Sequence, residues 1–494
     1  MMKRLSELAA LLKNARVSGD DAEITSIERD SRRVQEGALF VCISGAHVDA
    51  HSFIPNAARA GARAILTERE TVDVPDGLSV LHVPNLQEAL DTIVPYFYDY
   101  PARSMRIIGI TGTNGKTTTS YLVRAILRHA GRRVGLIGTI QVMMEDEVFP
   151  TANTTPDVTV LQQLLAQMRA RGMDAVVMEV SSHALDQGRV AGIEFDTAVF
   201  TNLTQDHLDY HGTMENYARA KARLFDLVSA HGTKTGKTAV LNADDAASET
   251  MRAHTHCPII SYGVENTADL AARDVHLAQD GMELTLVHGA AEPVKLHIGI
   301  TGLFNVYNVL AATGAAYAEK VPAADIAAAL RTFPGVPGRF ELVRAGQDFS
   351  VIVDYAHTPD GVENVLRTAR AVTSGRIIAV FGCGGDRDRT KRPLMGRMAA
   401  ELADIAILTS DNPRTEDPAA ILDEVETGIL PVIGTKPYEK IVDRRTAIFH
   451  AVGTARAGDT VVILGKGHEN YQILKDKTIH FDDRETAREA IRGL

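Results

Sequence analysis

The sequence predicts an α/β protein built as three domains, on three observations. The chain has 494 residues, and at ordinary domain size that suggests about three units. Short apolar, β-branched runs alternate with helical patterns along its whole length, the arrangement that builds parallel sheets covered by helices. One segment, Phe333-Pro334-Gly335-Val336-Pro337-Gly338-Arg339-Phe340-Glu341, interleaves proline with glycine. It leaves few helical options and marks a boundary. The expected units are residues 1–103, 104–333 and 334–494.

Composition excludes several function classes. The hydrophobic fraction is 45% and the charged fraction 23%, enough for full cores and ordinary for a globular chain. The net charge of −11 argues against nucleic acid as a partner, which needs a basic face. An anionic substrate must then be met by local Arg and Lys. Cys42, Cys257 and Cys383 lie far apart without metal spacing, which predicts a reducing, cytoplasmic setting. The first residues lack a signal peptide's apolar core. No apolar run reaches the roughly 18 residues a membrane span needs, so no membrane insertion is expected.

In the first unit, Leu39 to Ile43 and Ala64 to Leu66 read as strands and Ser52 to Ala60 as a helix. Together they predict a small α/β domain. Asp30-Ser31-Arg32 and Gly45-Ala46-His47-Val48-Asp49 interrupt it as polar loops. Tyr96 to Arg103, with Pro95 and Pro101 nearby, reads as a linker.

The second unit is organised around Ile107 to Thr118. An apolar strand runs into Gly112-Thr113-Asn114-Gly115-Lys116-Thr117-Thr118, and a helical pattern follows. Strand, glycine loop and helix form the context of a phosphate-binding P-loop. Glycines let backbone N–H groups close around a polyphosphate, and the helix points its positive end at it. Lys116 would reach the β/γ-phosphates and Thr117 would ligate Mg²⁺. The motif is a variant, with Ile110 where the strict pattern wants glycine.

Other strand ends of this unit are also polar. Thr151 to Asp157 includes Asn153, Thr154 and Thr155, and Pro156-Asp157 predicts the start of a helix over Val158 to Arg169. The two threonines suit a second anion there, or simple N-capping. The strand from Asp174 ends in Glu179, where P-loop proteins place a second Mg²⁺ contact. Ser181, Gln187 and Arg189 follow, at the sheet edge where α/β proteins bind ligands. His207 follows another strand and reads either as a neutral metal ligand or as a surface histidine. Asn216 to Phe225 predicts a basic amphipathic helix, Ala268 to Ile298 a β-hairpin excursion. The helix after Gly302 carries Asn305 and Asn308 on one face.

The third unit reads as a Rossmann-like parallel sheet, with strands at Phe349 to Val353, Arg376 to Phe381, Asp404 to Thr409 and Thr460 to Leu464. Its strand ends carry Asp354-Tyr355-Ala356-His357, Arg387, Asp411-Asn412-Pro413-Arg414 and Gly465-Lys466-Gly467-His468-Glu469. Gly382 to Arg387 is not a G-x-G-x-x-G dinucleotide fingerprint.

T-G-T-N-G-K-T, T-N-L-x-x-D-H-L-D, P-G-R-F-E, V-D-Y-A-H-T-P and G-K-G-H-E occur in this order along the chain. The ordered set resembles the Mur ligases, and its loop also resembles that of the folylpolyglutamate synthetases. These enzymes use ATP to join a carboxylate to an amine. The resemblance implies that Ser31 contacts a uridine and that Asn153, Thr154, Thr155, Ser181, Gln187 and Arg189 hold a UDP-MurNAc-L-Ala-D-Glu substrate. It implies two Mg²⁺ ions held by Thr117, Glu179, His207 and Lys221, the last carbamylated by CO₂, and ATP seated by the loop with Asn305, Arg339 and Asp354. It places the incoming amino acid on Arg387, Asp411, Asn412, Pro413, Arg414, Gly465 and Glu469. The D-N-P-R form resembles that of the Mur ligases that take meso-diaminopimelate. A monomer is expected. Two rivals stay open. A folylpolyglutamate synthetase would lack the uridine-type N-terminal unit. A guanine-nucleotide switch needs N-K-x-D, and Leu241-Asn242-Ala243-Asp244-Asp245 lacks that lysine.

Overall fold

The computed structural model describes residues 2–44 and 48–494. The Gly45 to His47 part of the second polar loop lies outside the described residues. Three large sheets order the chain, one in each expected unit.

In the first, Ser26–Glu28, Ala38–Val41, Ala64–Thr67 and Ser79–His82 run parallel, with Arg16–Ser18 antiparallel at one edge. Ala38–Val41 and Ala64–Thr67 are buried at every residue. Helix-covered parallel strands are buried on both faces, which is why these runs are apolar without alternation. The predicted helix divides into a 3₁₀ turn, Ala50–Phe53, and a helix, Ile54–Arg59.

The linker expected over Tyr96 to Arg103 is docked rather than free. The helix Leu86–Phe97 runs through Pro95, and a 3₁₀ turn, Pro101–Ser104, follows at once. Pro95 sits in the last turn, and its carbonyl accepts the Tyr100 N–H at 2.9 Å. Asp99 and Tyr100 make the bend at φ 54° and 47°. Phe97, Pro101 and Ala102 are buried, and burial of that apolar surface holds the segment down.

The central sheet has eleven strands. Val134–Ile137, Ala175–Glu179, Arg106–Thr111, Thr197–Phe200, Thr238–Asn242 and Ile259–Gly263 form its parallel middle, in that spatial order. The helices Lys116–His129, Leu303–Ala318 and Ala323–Arg331 cover one face through residues such as Leu122, Ile126 and Val309. Val158–Ala170 and Met214–Ser229 cover the other through Leu161, Leu165, Leu224 and Phe225. The expected hairpin excursion is instead three strands, Leu270–Ala278, Gly281–His288 and Val294–Ile298, that continue the sheet. Leu270 and Ala271 pair in parallel with Tyr262 and Gly263. Met282, Leu284 and Leu286 join the helical core, so the segment is held by the domain rather than projecting from it.

The third sheet runs Ser350–Asp354, Thr460–Leu464, Ile377–Phe381, Ile405–Leu408, Tyr438–Lys440, all parallel, with Glu341–Leu342 antiparallel at the edge. The hinge between the second and third units is seated against the G-K-G-H-E loop. Gly338 has φ 64°, and a Cβ there would come within 2.0 Å of the His468 backbone nitrogen. Only glycine permits that approach.

Candidate active site

The P-loop closes through contacts that need its small residues. A Cβ on Gly112 would meet the Thr201 hydroxyl at 1.8 Å, and one on Gly115 would meet Asn308 Oδ1 at 2.3 Å. The Thr113 N–H donates to the Asn202 carbonyl at 2.8 Å. Lys116 Nζ donates to the carbonyls of Gly112 and Thr113, both at 2.9 Å. Burial holds its pKa below the usual ammonium value, opposed by Glu179 and Asp206. Asn305 stands behind the loop: it accepts from Asn308 Nδ2 at 2.9 Å and donates to the Thr301 carbonyl at 2.8 Å. Asn308, not Asn305, lines the cleft.

Glu179 is fully buried at the end of its strand. Its carboxylate accepts from Thr117 Oγ1 at 2.9 Å, Thr139 Oγ1 at 3.0 Å and the Thr139 N–H at 2.9 Å. Thr139 Oγ1 also lies 3.0 Å from Thr154 Oγ1. Thr139 escaped the sequence reading, although it is a polar residue just beyond the strand Val134–Ile137.

Next to this lies the set expected to hold an anionic substrate. The Ser181 N–H donates to Thr155 Oγ1 at 3.0 Å, and the Ser181 hydroxyl caps its helix by accepting from the Ala184 N–H. Arg189 donates to the Thr155 carbonyl at 3.0 Å and to Gln187 Oε1 at 2.7 Å. Asp157 caps the helix Val158–Ala170. Asn153 is exposed, and its carbonyl accepts from the Thr151 hydroxyl at 2.7 Å. Ser31 sits in a turn of the first domain, which reaches the same helix through Arg33 to Gln163 at 3.2 Å and Arg29 to Asp157 at 3.7 Å.

Lys221 is buried in the helix Met214–Ser229 and donates to the Gly112 carbonyl at 2.8 Å. Its Nζ sits 4.3 Å from the Tyr217 ring centroid. Burial, with the Lys116 charge nearby, pushes its amine well below the usual ammonium range. His207 takes a left-handed backbone, φ 54°, and lines the cleft. Its side chain is 44% exposed, and partial desolvation in the cleft, opposed by Asp206, lowers its pKa below the usual imidazole value, which keeps the ring neutral at pH 7.

Among the described residues, no three His, Cys, Asp or Glu side chains cluster as a metal cage. The donors present are one carboxylate, one hydroxyl, a neutral imidazole and an amine. Mg²⁺ is ordinarily bound by one or two carboxylates plus substrate phosphates and water; Glu179 with Thr117 fits that pattern, and the amine of Lys221 fits it only as a carbamate.

The third domain closes the cleft, whose volume is ≈ 690 Å³. Asp360 accepts from Asn114 Nδ2 at 2.7 Å and from Thr204 Oγ1 at 3.3 Å, clasping the P-loop from the opposite domain. Sequence reasoning missed Asp360, though an acid after Thr358-Pro359 is a helix-start signal. Arg339 donates to Thr117 Oγ1 at 3.2 Å and lies over the Tyr355 ring at 4.5 Å. Asp354 accepts from the N–H groups of Phe340 and Ala356, both at 2.7 Å. A hydrogen bond to a charged group contributes about 1.5–3 kcal/mol. Asp360→Ala is therefore expected to open the protein measurably and raise the KM for ATP about tenfold or more. Small-angle scattering and ATP titration check this; unchanged values in both would refute the clasp.

At the third sheet's edge, Asn412 Nδ2 donates to Glu469 Oε2 at 2.9 Å, and the buried Lys466 Nζ bridges Asn412 Oδ1 and Glu469 Oε2 at 3.1 and 3.0 Å. Lys466 was legible as part of its motif, but its bridging role was not. Gly465 has φ 115°, and a Cβ there would meet Asp411 Oδ2 at 2.4 Å. The Pro413 carbonyl abuts Gly385, where a Cβ would come within 1.9 Å. Arg414 is half-buried at φ 52° and donates to the Gly385 carbonyl at 2.8 Å. Arg387 stays apart from this cluster: it is exposed and donates to the Asp386 carbonyl at 2.9 Å.

Comparison with known proteins gives one family. The profile described as Mur ligase family, catalytic domain, matches residues 23–98; Mur ligase middle domain matches 110–316; and Mur ligase, glutamate ligase domain, matches 338–467. A Bacillus cereus protein named UDP-N-acetylmuramoyl-L-alanyl-D-glutamate--2,6-diaminopimelate ligase is 51% identical over 97% of this chain and 96% of its own. A Bacillus licheniformis protein of the same name is 49% identical over 99% and 100%. A solved structure with that name is 34% identical, covers 100% of this chain and 99% of its own, and has a TM-score of 0.69.

Proposed function

The chain belongs to the Mur ligase family, and from that premise we propose that it joins meso-2,6-diaminopimelate to the γ-carboxylate of D-glutamate in UDP-N-acetylmuramoyl-L-alanyl-D-glutamate, a step of peptidoglycan synthesis. The reaction consumes ATP. A γ-carboxylate oxygen attacks the γ-phosphorus of ATP and ADP leaves, giving an acyl phosphate. The diaminopimelate amine then attacks the acyl carbon, loses a proton, and phosphate leaves as the amide forms.

Each group of residues has a part in this reading. The P-loop N–H groups and Lys116 hold the ATP phosphates, and Arg339 brings a second cation to Thr117 from the far domain. Fixed cations at a transferring phosphoryl group stabilise its developing charge. Thr117, Glu179, His207 and a carbamate on Lys221 would hold Mg²⁺. That ion supplies charge compensation for the phosphates. Thr155, Ser181 and Arg189 orient the muramyl dipeptide so that its carboxylate faces the P-loop. Closure by Asp360 brings the third domain's cluster to the same cleft and excludes water from the acyl phosphate.

The observation that carries the amino-acid assignment is the cluster of Asn412, Arg414, Lys466 and Glu469 at the third sheet's edge. An amino acid is a zwitterion, and this cluster offers an acid for its ammonium and a guanidinium for a carboxylate. Arg387 belongs with it on this reading once substrate orders its exposed side chain. The enzyme works in the cytoplasm, a setting consistent with three free cysteines, and acts as a monomer. No described helix is long and apolar enough to cross a membrane.

A ligation assay offering diaminopimelate, L-lysine and L-glutamate side by side tests the proposal. Product is expected with diaminopimelate, and phosphate release is expected only with both the dipeptide and the amino acid present. Preferential use of lysine or glutamate would overturn the substrate, and phosphate release without either would overturn the ligase reading.

A further inference from the structure

A second cavity, of ≈ 920 Å³, lies behind the hinge, on the other side of Arg339 from the catalytic cleft. Its walls are the helix Lys116–His129, the turn at Gln279 and Asp280, and the segment from Phe333 to Arg344. Four of its lining residues have a buried polar atom without a hydrogen-bond partner: Tyr121 Oη, Arg124 Nε, Thr301 Oγ1 and Arg339 Nε. Arg124 is 8% exposed and Thr301 3%. Each of these groups can donate, and a buried donor left unpaired is costly. Arg128 and Arg344 add two more cations to the lining, against Asp280 and Glu341. Glu341 is already engaged, accepting from the Gly338 N–H at 2.7 Å with Arg484 at 3.6 Å. Arg128 pairs with Asp146 at 2.9 Å. Arg344 is exposed and has no hydrogen-bond or ion-pair partner among the described residues. Ile300, Phe333, Val336 and Phe340 supply an apolar wall.

We propose that this hinge cavity is a second ligand site, taking a small anion with an apolar body. Unpaired donors and surplus arginines call for acceptor oxygens, as on a carboxylate or phosphate. The apolar wall calls for an aliphatic or aromatic portion, and the volume is that of an ordinary small-molecule site. The site also has a consequence for the reaction. Arg339 borders both cavities: its Nη2 reaches Thr117 in the P-loop, while its Nε lines the hinge cavity. A ligand that draws this guanidinium toward the hinge changes what it offers the nucleotide. Ligand and nucleotide are therefore coupled, and the coupling is reciprocal.

Phenyl phosphate is the probe, titrated calorimetrically into the full chain with ADP saturating the P-loop and inorganic phosphate as the comparison anion. Wild type should bind phenyl phosphate, and inorganic phosphate more weakly. Arg344→Glu, alone and with Arg128→Glu, should weaken phenyl phosphate about tenfold or more, the size of one lost charge-assisted bond. Ligation without the probe should stay unchanged in both variants. Phenyl phosphate should also shift ADP affinity, by the same factor by which ADP shifts its own. No binding to wild type, equal affinity in Arg344→Glu, or phosphate binding as tight as phenyl phosphate would overturn the site. An ADP affinity indifferent to the probe would overturn the coupling through Arg339. Arg344→Glu keeps the test sound if the double variant fails to fold, because it changes an exposed side chain that holds nothing in place.

Discussion

Lys221→Ala is expected to lower ligation by on the order of 100-fold or more, the scale seen when a group that orders a charged site is removed. A surface lysine at this position would predict almost no effect. The burial of Lys221 and the charge of Lys116 favour the neutral amine, opposed by Asp206. A neutral amine adds CO₂, whereas an ammonium cannot, because the lone pair is what attacks the carbon. The carbamate would turn the neutral amine beside the Gly112 carbonyl into a negative oxygen donor. That change would add a carboxylate-like oxygen donor to Glu179, and Mg²⁺ is ordinarily bound by one or two carboxylates. Two measurements check the argument. Intact mass under CO₂ should show an added carbon dioxide in wild type and not in Lys221→Ala. A small carboxylate added to the variant should restore part of its activity. Full activity in Lys221→Ala would remove Lys221 from the mechanism.

The candidate site residues of the second domain were legible because several lie at or just beyond strand ends. Glu179, Thr155 and His207 sit where an apolar run stops and a polar residue begins, and parallel sheets bind ligands at that edge. Local pattern could not show which of these side chains meet. The hydrogen bonds from Thr139 to Glu179 join residues 40 apart in sequence, and those from Asn114 to Asp360 join residues 246 apart. Pairings of that range are set by domain packing, not by neighbours in the chain. The same reason explains the two misread segments. Pro95 and Pro101 carry linker chemistry, yet the apolar residues among them found a surface to bury. Ala268 to Ile298 carries hairpin chemistry, and nothing local said that its first strand, Leu270–Ala278, would pair with Ile259–Gly263. Lys221 is the extreme case. Its helix reads as basic and amphipathic, and only its burial separates it from Arg219 and Arg223 on the same helix, which pair with acids at the surface.

Arg414→Ala is expected to remove most activity with diaminopimelate while gaining little with lysine. Diaminopimelate carries a distal carboxylate that lysine lacks. Arg414 is held by a left-handed backbone, an N–H bonded to the Ile473 carbonyl at 3.1 Å and one guanidinium nitrogen on the Gly385 carbonyl, and on the proposed reading it meets that carboxylate. That anchoring aims the remaining guanidinium donors without spending them, so little side-chain entropy is lost when a carboxylate docks. With lysine in the site, those donors stay unpaired and desolvated. The penalty is about 2–5 kcal/mol, or roughly 30- to several-thousand-fold in preference. Removing Arg414 removes both the attraction and the penalty. It does not create an acceptor for lysine's distal ammonium, so lysine stays a poor substrate. The decisive quantity is the ratio of kcat/KM for the two amino acids, in wild type and variant. The ratio should fall by the whole of that preference in Arg414→Ala. A ratio that does not move would remove Arg414 from the discrimination, and Arg387→Ala, at the exposed arginine apart from the cluster, would be the next variant to measure.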